Sequence, residues 1–444
     1  MKIVIIGGVA AGMSAASKAR RADKTAEIIV IEGGQEVSYG ACGLPYFISG
    51  ANPDLDLMRI RRAEEFIRSG IDVRLGQEAV SLDTKRKVIT IKDRRLERTY
   101  QESYNKLVIA TGAEPIVPDV PGVTADGVYT IKTLQDGEAL SRRFSDPAIT
   151  NVVIVGGGYI GVEMAEAAAA KGKNTILIEL TDRILPSFDA EITAIAARKM
   201  NEKKVALHTD ERLEQIKAPN GRLEAVITSK ASYPADAVIL ALGVKPRTAF
   251  LAGTGIKLNE RGAIIVDRKL QTNVADIFAA GDCATVYHEL LDKNVYIPLG
   301  TNANKQGRLV GENLCGAERE MPGVLGTASI KIFDLEAVRT GLTEQEARQN
   351  GIPVTSVFVE APSHAPYYPN PTLIYIKLVY GKADRRILGA QLIGEQGAVL
   401  RGHVLAACIH ASMTVDQIGW LDFSYAPPFS MPWDAVHVAA NAAR

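Results

Sequence analysis

Three features of the sequence predict an α/β chain in which two domains built on parallel sheets precede a smaller α+β domain. Residues 2 to 32 run strand, glycine turn, helix, strand. Residues 151 to 179 repeat that order, and beyond Met321 the glycine turns give way to strands and helices without it. A strand, a crossover helix and a second strand form the unit of a parallel sheet, whereas strands with helices on one side suggest α+β packing.

Length and composition set the frame. At 444 residues the chain exceeds what a single core supports, which points to two to four domains. Its hydrophobic content of 47% suits a globular protein, and 51 basic residues balance 51 acidic ones. That balance argues against partners held by bulk charge, so neither nucleic acid nor a membrane is expected. The apolar start, Met1 to Gly7, is too short for a signal peptide, and no later run is long enough to span a bilayer, so the cytoplasm is the expected address. Cys42, Cys283, Cys315 and Cys408 lie far apart, with no CxxC or CxxxxC pair and no His/Cys ligand spacing. Neither a disulfide framework nor a metal is expected.

The first unit begins with the apolar strand Ile3 to Ile6, turns through Gly7-Gly8-Val9-Ala10-Ala11-Gly12, continues as a small-residue helix, and returns as Ile28 to Ile31 ending in Glu32. Gly7 permits the tight turn, the helix N-terminus receives a pyrophosphate, Gly12 lets helix and strand approach, and Glu32 accepts from ribose hydroxyls. This is a Rossmann-like dinucleotide-binding arrangement, although Val9 stands where the fingerprint has its middle glycine. The stretch Ser38-Tyr39-Gly40-Ala41-Cys42-Gly43-Leu44-Pro45-Tyr46 follows. Pro45 suits the first turn of a helix, so Cys42 is expected near a helix N-terminus that favours thiolate over thiol. Read alone, this stretch fits a reactive sulfur and a small buried hydrophobe equally well.

The second unit carries the strand Val152 to Val155, the turn Gly156-Gly157-Gly158-Tyr159-Ile160-Gly161 with all three fingerprint glycines, an Ala-rich helix, and Thr175 to Ile178 ending in Glu179. Two such units imply two dinucleotides, and a flavin held beside a nicotinamide is the economical explanation. Glu179 favours NADH over NADPH, a preference softened by Arg183. Lys106 to Ala113 and Ala237 to Gly243 each read as a buried strand running into a glycine turn, where the chain crosses between the two domains. Thr272 to Asp282 is a short apolar strand that delivers Asp282 at its C-terminal end and returns the chain to the first domain, which is therefore discontinuous. Cys283 beside it reads as packing. The last region, with strands Ser329 to Phe333, Leu373 to Tyr380 and Ile387 to Ile393 and helices Thr343 to Gln349 and Ala398 to Met413, has no cofactor motif and is expected to join a second subunit.

Together the two fingerprints, the Ala110-Thr111-Gly112 turn, the Thr272 to Asp282 segment and the C-terminal domain resemble the pyridine nucleotide-disulfide oxidoreductases over essentially the whole chain. That resemblance implies FAD in residues 1–112 and 243–320, NADH or NADPH in 113–242, and a dimerisation domain in 321–444. It implies that Gly7, Gly8, Ala11, Gly12, Glu32, Ala110, Thr111, Gly112, Gly281 and Asp282 hold FAD, and that Gly156, Gly158, Tyr159, Ile160, Gly161, Glu179 and Gly243 hold NAD(P)H.

With one cysteine in place of a CxxxxC pair, the chain is similar to the single-cysteine branch: coenzyme A-disulfide reductases, coenzyme A persulfide reductases, NADH oxidases and NADH peroxidases. The oxidases and peroxidases usually carry a histidine in the first glycine turn, where this chain has Ala10 and Ala11. His364-Ala365-Pro366-Tyr367-Tyr368-Pro369 and Ser424-Tyr425-Ala426-Pro427-Pro428 instead look like the tyrosine-bearing segments of the coenzyme A-disulfide reductases. The resemblance thus implies Cys42, Tyr367 and Tyr425 as catalytic residues, the tyrosines reaching across a homodimer, and Lys18, Arg21, Ser38 and Asn302 as coenzyme A contacts. Arg59, Arg61 and Arg62 form a further basic group that suits phosphates.

The expected reaction passes electrons from NAD(P)H through FAD and Cys42 to coenzyme A disulfide by way of a Cys42–coenzyme A mixed disulfide. Alternatives within the fold are coenzyme A persulfide or polysulfide reduction and a water-forming NADH oxidase. From another class come an electron-transfer flavoprotein serving a partner redox protein and a non-catalytic FAD-dependent scaffold.

Overall fold

Runs of β-branched and apolar residues bounded by glycine become the central strands, because a strand covered on both faces has no polar side. The computed structural model describes Met1–Arg444 and divides into two compact units, the first comprising Met1–Gly43, Asp54–Glu114 and Val244–Val324 and the second Leu44–Pro53, Pro115–Gly243 and Leu325–Arg444. The chain therefore passes between units at Gly43–Leu44, Pro53–Asp54, Glu114–Pro115, Gly243–Val244 and Val324–Leu325.

In the first unit a five-stranded parallel sheet runs in the order Ile277–Ala279, Lys106–Ile109, Lys2–Ile6, Glu27–Glu32, Asp72–Leu75. Ile3, Val4 and Ile5 face Ile28, Ile29 and Val30 in register, all within the core. Burying each such side chain contributes roughly 1.5–3 kcal/mol, so this small central sheet fixes the unit. The helix Ala10–Ala22 crosses between the first two of these strands in sequence and packs along Gly300–Asn313. The close approach depends on two glycines one turn apart: a Cβ on Gly307 would collide with the Ala11 backbone, and one on Gly311 with Ala15 and Lys18. The unit also holds a three-stranded antiparallel sheet, Gln77–Asp83, Val88–Asp93 and Arg98–Ser103, and the antiparallel pair Val286–His288 and Lys293–Val295.

The second unit holds two five-stranded sheets of different kinds. The parallel one runs Val205–His208, Asn174–Ile178, Asn151–Val155, Ala237–Leu240, Val128–Tyr129. Its crossover helix, Tyr159–Ala170, carries Gly161 and five alanines among its twelve residues, which lets it press close on the sheet. The antiparallel sheet runs Ala328–Ile332, Leu335–Gly341, Ile387–Gly394, Leu373–Gly381, Val354–Pro362, with helices Glu344–Gln349, Ala398–His410 and Ala435–Ala442. Leu335–Gly341 and Val354–Pro362 are strands beyond the three expected from the residue pattern. Thr343 and Glu346 close a capping box at the start of the first of these helices, one residue later than expected. No helix is long and apolar enough to cross a membrane.

Candidate active site

The two glycine turns have the same construction. Gly7 and Gly156 adopt φ +105° and +109°, and a Cβ on either would collide with the carbonyl of Ala110 or Ala241. A Cβ on Gly12 or Gly161 would strike the carbonyl of Gly7 or Gly156, so helix and strand meet at a distance only glycine allows. The acidic residue at the end of each second strand braces its own turn. Glu32 accepts from the N–H of Gly8 at 2.6 Å and of Gly34 at 2.7 Å, and Glu179 accepts from Gly157 at 2.6 Å and from the Thr181 N–H at 2.7 Å.

The middle position of the fingerprint differs between the turns. Nothing lies within 4 Å of a Cβ built on Gly158, so the backbone there is open to a pyrophosphate at the start of a helix. In the first turn Val9 occupies that place as the residue before the helix, at φ −101° and ψ −118°, outside the helical and extended regions. These cradles fit two dinucleotides, with Ala11, Ala110, Thr111 and Gly112 close to the first and Tyr159 and Ile160 in the opening turn of the helix of the second. Gly112 and Gly243 both turn with positive φ after their strands. Thr111 Oγ1 donates to the Arg247 carbonyl at 2.7 Å. Gly281, also at positive φ, donates its N–H to the buried Gln306 side chain at 2.8 Å, and Asp282 follows at the end of the short strand, its carbonyl accepting from Tyr296. No spacing in the sequence singles out Gln306 as the support of that turn.

Cys42 is exposed, in the middle of the 3₁₀ turn Ala41–Gly43, and the helix Leu44–Ser49 starts two residues later with Pro45 in its first turn. The turn is held from three sides. Ser38, at φ +50°, donates its N–H to the Gly8 carbonyl and accepts from Ile60; Gly40 donates to Met58; and Tyr39 bridges Arg59. One residue thus ties the cysteine stretch to the first glycine turn. The other cysteines differ: Cys283 is fully buried, its thiol pushed up by burial and directed at the carbonyls of Ile109 and Ala280, Cys408 is buried and Cys315 partly so. No group of three or more His, Cys, Asp or Glu side chains is arranged to hold a metal ion.

The basic residues are not gathered as an open phosphate grip. Lys18 pairs with Glu312 at 2.9 Å, Arg59 with Glu36 and Asp56 at 2.7 and 2.9 Å, and Arg62 with Asp56, while Arg61 lies 4.0 Å over the Phe66 ring. Intramolecular acids therefore compete with any phosphate for Lys18, Arg59 and Arg62. Arg21 is exposed, and Asn302 is buried with its amide on the Ile297 carbonyl.

In the second unit Tyr159 packs against Phe188 at 6.1 Å between ring centroids, and burial raises its phenol pKa above the ordinary value. Four residues further along the same helix, Glu163 faces Tyr46 of the helix that follows Cys42, the phenol donating at 3.4 Å. Burial pushes the Glu163 carboxyl up to about 7, with the Tyr46 hydroxyl opposing the shift and nearby Glu166 adding to it. Sequence patterns contain no sign of this pair.

The sign of its effect follows from that shift. A carboxyl raised from 4.5 to about 7 on folding stabilises the folded state fully below about 4.5, and this contribution is lost as pH rises through 7. Glu163→Gln keeps the shape and removes the titration. Denaturant midpoints at pH 4 and 8.5 are expected to coincide with the wild type at the acid end and to favour the variant at the alkaline end, by about 3 kcal/mol. Equal pH dependence in both proteins would refute the assignment.

Tyr367 and Tyr425, 58 residues apart, are brought together hydroxyl to hydroxyl on the surface of the second unit. The two residues are 74% and 42% exposed. The hydrogen bond with Tyr367 raises the Tyr425 phenol above its ordinary range.

A profile of the family described as "Pyridine nucleotide-disulphide oxidoreductase" matches residues 1–307, and a profile of that family's dimerisation domain matches 327–435. The NAD(P)H coenzyme A polysulfide/persulfide reductase of Pyrococcus horikoshii is 39% identical over 445 residues, covering 99% of this chain and 98% of the relative. The NADH oxidase of Methanocaldococcus jannaschii is 32% identical over 443 residues, covering 99% and 98%. Among solved structures, an NAD-dependent persulfide reductase from A. fulgidus matches with a TM-score of 0.96 at 36% identity, covering 100% of this chain and 83% of that one.

Proposed function

We propose, given that this chain belongs to the pyridine nucleotide-disulfide oxidoreductase family, that it reduces a coenzyme A-linked S–S bond at Cys42, with coenzyme A disulfide as the acceptor. The enzyme is an oxidoreductase that uses FAD and NAD(P)H. In this reading residues 1–112 and 243–320 hold FAD on the Gly7 to Gly12 turn, residues 113–242 hold NAD(P)H on the Gly156 to Gly161 turn, and residues 321–444 pair two protomers. When bound, FAD supplies the electron pair, received from NAD(P)H, that reopens a disulfide formed on the protein.

The observation that carries the reading is a single exposed cysteine in a braced turn, with every other thiol wholly or partly buried. The Cys42 thiolate attacks one sulfur of coenzyme A disulfide; a Cys42–coenzyme A bond forms as the original S–S bond breaks, and one coenzyme A thiolate leaves. A tyrosine hydroxyl supplies the proton that this thiolate takes up. Tyr367 and Tyr425, reaching the partner protomer's turn, fit that task, since a phenol kept protonated at neutral pH can donate as charge develops on sulfur. Reducing the mixed disulfide frees the second coenzyme A and restores Cys42. The external thiol thereby stands in for the second cysteine the chain lacks.

A second reading is favoured by the Pyrococcus relative's name: coenzyme A persulfide or polysulfide as the acceptor, attacked by the same thiolate. Initial rates of NADH and NADPH consumption with coenzyme A disulfide, coenzyme A persulfide, polysulfide and oxygen separate the readings. The reading given first expects coenzyme A disulfide to show the highest kcat/KM. Preference for persulfide transfers the function to the second, and oxygen as the best acceptor refutes both.

A further inference from the structure

The Tyr367–Tyr425 contact joins two loops with no sequence proximity, on a surface that leaves both residues exposed, so the hold on their geometry is to be sought beneath it. One guanidinium supplies it. Arg401, on the helix Ala398–His410, donates from Nη2 to the Ser363 carbonyl at 3.0 Å and to the Phe429 carbonyl at 3.2 Å. The first carbonyl begins the loop that carries Tyr367, and the second lies four residues beyond Tyr425. The same guanidinium forks on Asp434, Nε donating to Oδ1 at 3.1 Å and to Oδ2 at 2.9 Å and Nη2 to Oδ2 at 2.7 Å, and both side chains are largely buried, 14% and 8% exposed.

Asp434 is itself fixed. It caps the helix Ala435–Ala442 through the Val436 N–H at 2.9 Å and accepts from Ser430 at 2.9 Å. The Tyr367 loop is closed by buried His364, whose ring bonds Ser363 Oγ and the Pro369 carbonyl, and the Ala365 N–H reaches the Pro427 carbonyl of the other loop. A buried, forked Arg–carboxylate pair has little freedom, so what hangs from it is held in register.

We propose that the Arg401–Asp434 pair is the positioning device that fixes the Tyr367–Tyr425 hydroxyl contact by tying both tyrosine loops to one guanidinium. The inference rests on the reading of these tyrosines as proton donors only for its effect on turnover; the geometry stands apart from it. Lysine at position 401 keeps the charge opposite Asp434 but cannot hold the fork and bridge both carbonyls.

The test uses the FAD-loaded enzyme with ¹³C-labelled tyrosine, the Tyr425 resonance being assigned from Tyr425→Phe and titrated by NMR. In the wild type Tyr425 should titrate above an ordinary phenol. In Arg401→Lys it should return to the ordinary value, as in Tyr367→Phe, and kcat with coenzyme A disulfide should fall about tenfold with KM for NADH unchanged. A wild-type Tyr425 titration in Arg401→Lys overturns the proposal. A shifted titration with full turnover in both Tyr→Phe variants supports the positioning and removes the proton-donor role instead. If Arg401→Lys does not fold, Asp434→Asn, which retains an oxygen for the helix cap, carries the same readouts.

Discussion

Cys42→Ser should leave reduction of the enzyme by NADH intact and lower coenzyme A disulfide turnover by at least about a thousandfold, because a hydroxyl neither attacks sulfur at neutral pH nor accepts the leaving thiol. No other thiol can take over. Cys283 lies sealed against the carbonyls of Ile109 and Ala280, Cys408 is buried in its helix, and burial raises the pKa of Cys283, Cys315 and Cys408, which keeps them as thiols. The substitution is nearly isosteric in an exposed 3₁₀ turn whose bracing runs through Ser38, Gly40 and Tyr39, so folding should be unaffected. Rapid mixing with NADH checks the first half and steady-state consumption with the disulfide the second. Undiminished turnover would instead point to an electron-transfer flavoprotein serving a partner redox protein, which needs no Cys42.

The second large effect concerns the tyrosine pair. Tyr367→Phe and Tyr425→Phe should each lower kcat with coenzyme A disulfide by roughly ten- to a hundredfold, the range of general-acid assistance. The double variant should lose little more than the worse single one, since each hydroxyl's role depends on contact with the other. Because the hydrogen bond to Tyr367 raises the Tyr425 phenol, the acid is present through neutral pH and is lost only as pH rises past the ordinary phenol range. The alkaline limb of the kcat profile should therefore move to lower pH in Tyr367→Phe. Full additivity, or an unmoved limb, would show that the two hydroxyls do not act together.

Much of this architecture was legible because glycine and acidic residues mark the Rossmann-like turns: Gly7, Gly12, Gly156 and Gly161 sit where a Cβ collides with backbone, and Glu32 and Glu179 close the same turns. Such steric demands leave a mark on single positions. The strand Leu335–Gly341 carries Glu336, Arg339 and Thr340 among its apolar residues, and Arg339 is buried only because it pairs with Glu346 and the Ser187 carbonyl. A strand stabilised by distant partners shows no clean alternation. Val354–Pro362 was missed for a related reason: as an edge strand it leaves Phe358 exposed and ends in proline.

The site shows the same division. Cys42 and the two tyrosines stand in recognisable short segments, whereas Glu163 facing Tyr46, Gln306 under Gly281 and Arg401 beneath the tyrosine loops depend on contacts between distant segments. The surroundings of the basic residues are hidden in the same way. Lys18, Arg59 and Arg62 read as a group along the chain, but Glu36, Asp56 and Glu312, which neutralise them, become neighbours only in the fold.

The most direct test of the central claim is the intact mass of the oxidised enzyme after treatment with coenzyme A disulfide, followed by peptide mapping. The account predicts one coenzyme A per subunit, attached at Cys42, absent from Cys42→Ser and released on adding NADH. A Cys42 that gains only oxygen, or an adduct that NADH does not release, would contradict it.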